Sequence, residues 1–216
     1  MKIAIIYTAK SDELTNSLHT SIKNKFGKDV EITEYQDMTA LTEAAKAGKV
    51  TQKVAALYGK LLLQAVEDGA NGILSTCCVM GDVVESLHAF LKFAGVAVLS
   101  IDEPFCKAAL LKHKKLCLLA TAGPAATAVE HTLNRYKNTL QANGTVKTVI
   151  VSGTAGLKGA AFSQKVWEAA KAQVKECDCF VLAQPSMVGA ADYLRQQSGK
   201  EVYTAVDDPV TLLQVE

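Results

Sequence analysis

The 216-residue sequence predicts an α/β protein with mostly parallel sheets, arranged as two halves. Three observations carry that prediction. Short apolar runs alternate with longer segments of helical period, as βα units require. The runs IAIIY, LCLLA and FVLA are apolar throughout, which marks strands buried on both faces of a parallel sheet. The pattern then repeats after a changeover between residues 99 and 115 that contains no Pro/Gly/Ser-rich linker, so the two halves should share a rigid interface.

The first strand is KIAIIYT, followed by a helix over 12–26, the strand VEITEY and a long helical stretch over 41–68. A strand at 72–76, an amphipathic helix at 81–93, a strand at 96–102 and a helix at 104–112 complete this half. The second half reads as a strand at 115–121, a helix at 126–142, the strand TVKTVIVS, a helix at 160–175 and a strand at 179–184. The expected division is 1–98 plus 200–216 for one α/β domain and 99–199 for the other.

Composition narrows the function. The formal charge is +1, with 49% apolar and 21% charged residues, an ordinary globular balance. The basic run Lys112-His113-Lys114-Lys115 precedes a strand and reads as a solvated turn, so no nucleic-acid partner is expected. The N-terminal apolar run is too short for a signal peptide or a membrane span, giving an expectation of a cytoplasmic protein with no membrane partner. The six cysteines then read as reduced thiols.

Ligands of open parallel sheets bind beyond the carboxyl ends of the strands. That rule selects Tyr7-Thr8, Thr76-Cys77-Cys78, Asp102-Glu103, Ala120-Thr121 and Ala183-Gln184-Pro185-Ser186. Cys77 stands where a helix beginning near Met80 would favour its thiolate, making it the best nucleophile or base available. The competing reading is that Cys77 and Cys78 are two small buried apolar residues. Cys77/Cys78 and Cys177/Cys179 lack the spacing of a zinc site, and no metal is expected. Cys106 and Cys117 read as core residues, and none of the four histidines neighbours a strand end. No dinucleotide or P-loop glycine pattern occurs, and the stretch 153–159 reads as a flexible strand-to-helix loop.

The runs NGILSTCCVMGDVVE, VLSIDEPFCKAAL, LCLLATAGPAAT and CFVLAQPSMVGAADYL, in that order, resemble the aspartate/glutamate racemase superfamily over nearly the whole chain. The resemblance implies two similar α/β domains with the active site in the cleft between them. It also implies cofactor-independent proton chemistry at carbon beside a carboxylate, with a small amino or dicarboxylic acid as substrate. Typical members use two cysteines on opposite faces of the substrate carbon, because inversion needs a base on one side and an acid on the other. Carried over by motif, Cys77 is the first-domain cysteine, Thr8, Thr76, Cys78, Val79 and Thr121 line the substrate, and Gln184 and Ser186 stand at the second cysteine and its neighbouring histidine. Gln184 therefore removes the second acid/base thiol. Racemisation with another acid, decarboxylation, cis-trans isomerisation by thiol addition, and ligand binding without catalysis all stay open. Members of the superfamily often pair, which leaves a homodimer open as well.

Overall fold

The computed structural model describes residues 1–215. Two four-stranded parallel sheets form, in the orders β2-β1-β3-β4 and β6-β5-β7-β8. The first contains β1 (Lys2–Tyr7), β2 (Glu31–Gln36), β3 (Gly72–Ser75) and β4 (Ala97–Ser100). The second contains β5 (Lys115–Ala120), β6 (Thr145–Ile150), β7 (Cys179–Leu182) and β8 (Glu201–Tyr203). The wholly apolar strands occupy the interior, with β1 between β2 and β3, and β5 between β6 and β7. Of the four edge strands, β2 and β6 are the long ones and mix polar and apolar residues along their length.

Helix ends follow local chemistry. Helix α1 (Asp12–Phe26) starts at Ser11, whose Oγ accepts from the Leu14 N–H at 3.3 Å, and carries Asp12 and Glu13 in its first turn and Lys23 and Lys25 in its last. The expected single stretch over 41–68 is two helices, α2 (Thr39–Ala47) and α3 (Gln52–Glu67). Gly48 takes a left-handed conformation that ends α2, and Thr51 caps α3 through the Val54 N–H. The remaining helices are α4 (Gly81–Phe93), α5 (Asp102–Lys112), α6 (Gly123–Leu140), α7 (Gly159–Ala170) and α8 (Ala191–Ser198). No helix among the described residues is long and apolar enough to cross a membrane.

One boundary differs from expectation. β8 pairs in parallel with β7, so residues 201–203 belong to the second sheet, not to the first half with 200–216. The chain returns only afterwards: Lys25 Nζ donates to the carbonyls of Val210 and Thr211 at 2.8 Å, and Leu213 and Val215 lie against Gly72 of β3. A three-residue strand is too short to show a period, which is why the sequence did not reveal it.

The larger apolar core is continuous across both halves. It joins Ile3, Ile5, Ile73 and Leu99 of the first sheet to Leu116, Leu118, Val181 and Ala183 of the second. Strand alternation sends Cys117, Leu119, Phe180 and Leu182 to the opposite face, where they form a smaller core with α7 and α8 residues such as Val166 and Leu194. Helices α4 and α6 meet across the seam, where Asp82 binds His131 at 2.7 Å and Arg135 at 3.3 Å. Inside the first core, Tyr58 Oη and Ser75 Oγ share a 2.7 Å hydrogen bond, both side chains fully buried. Tyr58→Phe leaves the Ser75 hydroxyl without its partner and should cost about 1–3 kcal/mol in a urea titration.

Candidate active site

Cys77 is set by the strand before it. The Thr76 N–H and hydroxyl both donate to the Ile6 carbonyl at 3.0 Å, extending the β1–β3 pairing one residue and fixing where the chain turns. Cys77 follows in an extended conformation, residues Cys78–Met80 form one turn of 3-10 helix, and α4 begins at Gly81. This is the strand-to-helix turn expected from the sequence. The Met80 N–H closes this turn on the Cys77 carbonyl at 2.9 Å, and the Thr8 hydroxyl and the Val79 and Met80 N–H groups favour the ionised form of the thiol.

The ionisation of Cys77 is opposite to expectation. Burial pushes the thiol above its ordinary value, and the nearby Asp102 carboxylate adds to the rise, while Thr8 and the two amides act against it. The helix-terminus effect is present but loses, because the residue is only 5% exposed and removing a thiolate from water costs more than these donors return. Cys77 therefore stands as a thiol at neutral pH, a proton donor at rest.

A cavity of about 280 Å³ opens on this turn, lined by Thr76, Cys77, Cys78 and Val79 on one side and by Gln184, Pro185 and Ser186 on the other. Leu14 and Leu41 supply apolar wall, and Lys10 and Ser11 complete it. The cavity thus lies between the carboxyl ends of β3 and β7, one from each sheet. Among the residues predicted to touch a ligand, Thr76, Cys78, Val79, Gln184 and Ser186 meet here. Thr8 does not line the space, and its hydroxyl bears on Cys77 by favouring the ionised form. Thr121 lies in an adjoining chamber of about 630 Å³ that shares Ser11, Leu14, Pro185 and Ser186 with the first. Its N–H (2.8 Å) and hydroxyl (3.0 Å) donate to Gln184 Oε1, which fixes that amide and leaves its NH2 as the free donor end.

Two features are invisible in the sequence. Lys10 is held by Glu34 at 2.6 Å, and Glu34 also meets His19 at 2.9 Å and the Tyr7 hydroxyl at 3.3 Å, so the cation at the cavity rim is already neutralised. Lys10 and His19 hold the Glu34 carboxyl below the ordinary range although partial burial opposes them. Asp102, expected to close a strand, opens α5 instead and is fully buried. Ser100 Oγ donates to its Oδ1 at 2.5 Å, Oδ2 has no partner among the described residues, and both oxygens sit 3.7 Å from where a Cβ on Gly81 would lie. Burial raises this carboxyl, against the Ser100 and Thr132 hydroxyls. Asp102→Asn removes a negative charge from behind the turn, so the Cys77 thiol should ionise at lower pH. The check is the pH dependence of Cys77 alkylation, which should shift to lower pH in the variant. No metal-ligand cluster of His, Cys, Asp or Glu occurs among the described residues.

No family model and no curated protein matches the chain in sequence. Solved structures do match it in shape. Allantoin racemase from Klebsiella pneumoniae superimposes with a TM-score of 0.68 at 19% identity, over 98% of this chain and 85% of that one. Glutamate racemase from Aquifex pyrophilus gives 0.69 at 21% identity, over 97% and 81%. Unliganded arylmalonate decarboxylase gives 0.58 at 12% identity, over 96% and 88%. At these identities the likeness is one of fold, and that fold, two parallel α/β sheets that here bring Cys77 and Gln184 to one cavity between them, is the one found in racemases of the aspartate/glutamate type.

Proposed function

We propose that this chain is a cofactor-independent enzyme of the aspartate/glutamate racemase superfamily that moves a proton between Cys77 and the carbon beside a carboxylate in a small substrate. The observation that carries the reading is the thiol of Cys77 at the wall of an inter-sheet cavity, where the Thr8 hydroxyl and the Val79 and Met80 N–H groups favour its ionised form against burial. Those donors stabilise the thiolate that exists only after the proton has left, which is the arrangement proton transfer needs. The Gln184 NH2 and the Ser186 hydroxyl are donors suited to a substrate carboxylate.

A specific observation favours proton delivery to one face over racemisation. Gln184 lines the same cavity as Cys77 and has no titratable proton, and its carbonyl is locked by Thr121. Cys77 is a thiol at rest. A group that starts protonated is ready to quench a carbanion generated by loss of another substituent, as in decarboxylation, whereas abstraction requires it first to ionise. The test is incubation with small amino, dicarboxylic and malonate-type acids in deuterium oxide. Deuterium appearing beside a carboxylate, on recovered substrate or on a decarboxylated product, supports the reading. Its absence with every acid, together with ligand binding unchanged in Cys77→Ser, would leave a binder without catalysis.

A further inference from the structure

The cavity at Cys77 has one charged side chain among the described residues that line it, Lys10. A cation there matters to the thiol, because the titratable groups near Cys77, namely Cys78, Tyr58 of α3 and Asp102, are all acids. Lys10 does not bring a free charge to the cavity. Its ammonium donates to Glu34 Oε2 at 2.6 Å and lies over the ring of Tyr7, 5.4 Å from the centroid.

Glu34 is more than the partner of a surface lysine. Its other oxygen, Oε1, meets His19 of α1 at 2.9 Å and the hydroxyl of Tyr7, a residue with no exposure, at 3.3 Å. From β2, where it pairs with Ile5 of β1, the carboxylate thus joins β1, the corner after it and α1. The side chains of Lys10, His19 and Glu34 are 32%, 33% and 27% exposed, which shields this cluster from water better than an open surface ion pair. One anion held against one cation leaves the rim without net charge, and Leu14, Leu41 and Gln184 are among the neutral residues that complete the wall.

We propose that Glu34 is a positioning residue for the chemistry at Cys77: it holds and neutralises the Lys10 ammonium, so that the thiol shares its cavity with no uncompensated cation. The inference rests on Cys77 being the group that moves the proton. An uncompensated ammonium in a cavity of about 280 Å³ would stabilise the thiolate and draw off the proton that Cys77 must hold when a carbanion forms. Glu34 preserves that proton without touching the substrate.

The experiment is the rate of Cys77 alkylation by iodoacetamide as a function of pH, read by mass spectrometry at residue resolution. Glu34→Gln keeps the shape of the side chain and removes its charge. It should raise the rate near neutral pH about three- to tenfold and move the profile about 0.5–1 pH unit lower, the effect of one cation nearby but out of contact. Adding Lys10→Met to that variant should return the rate to that of the parent protein, and Glu34→Asp, which keeps the charge, should stay close to the parent. A rate unchanged by Glu34→Gln overturns the inference. So does a rise that survives in Glu34→Gln/Lys10→Met, since it reports a loosened fold and not an uncompensated charge. Deuterium uptake beside a carboxylate separates this inference from the reading beneath it. If the rates follow the expected pattern while no acid takes up deuterium, Cys77 fails as the reacting group and the role of Glu34 fails with it; a broken pattern with uptake intact removes Glu34 alone.

Discussion

Replacing Cys77 with serine is expected to slow deuterium exchange beside the carboxylate of a turned-over acid by about 10²–10⁴-fold, the usual worth of a positioned acid/base group. The substitution changes volume little, so the fold and ligand affinity should persist. What changes is acidity: an alcohol cannot supply or accept the proton at accessible pH. Retention of exchange by the variant would remove Cys77 from the chemistry. Cys78 is the natural control. It is 2% exposed and burial raises its thiol as well, so Cys78→Ser should disturb stability more than turnover.

The second large effect is loss of stability in alkali. All six cysteines are buried and free, and burial pushes Cys117 and Cys179 from 9.0 up to about 12. Below pH 9 both thiols carry their protons whether the chain is folded or not, and stability is fully present. From about pH 9 toward 12 the unfolded chain releases these protons while the folded one retains them, so unfolding is favoured as pH rises, by a few kcal/mol for each group at the top of the window. The urea midpoint under reducing conditions should therefore fall steeply above pH 9. Cys117→Ala/Cys179→Ala should start less stable at pH 7 but show a shallower fall, and an equal slope in the variant would exclude these thiols as the cause.

Much of this fold could be read from residues alone because the interior strands IAIIY, LCLLA and FVLA are apolar throughout, a signal that burial on both faces produces and little else does. The position of Cys77 was readable for the same reason, since the end of β3 is marked by GILST. Its ionisation was not. A helix start argues for a thiolate, but the outcome is decided by desolvation from side chains far away in sequence and by Asp102, and nothing local announces either. The Thr121–Gln184 lock joins residues 63 positions apart, so the motif identified both positions while giving no hint that one immobilises the other. Thr8 shows what a motif leaves out: it marks the position, whereas in the fold Thr8 falls outside the cavity lining and bears on the ionisation of Cys77. The division at residue 200 failed because β8 is too short to carry a period.

The unbroken apolar core beneath both sheets, clamped above by the Asp82–Arg135 and Asp82–His131 contacts, bears on how a substrate enters. Two bodies that share one interior cannot swing apart as jaws without wetting it, and each buried side chain uncovered would cost on the order of 1.5–3 kcal/mol. Passage to a thiol that is 5% exposed is then expected past the exposed residues that line its cavity, Ala9, Lys10 and Ser11 on one side and Ser186 on the other. Entry is thereby expected to need only small motions near Ser11, at the rim of the cavity, with the two sheets held in place.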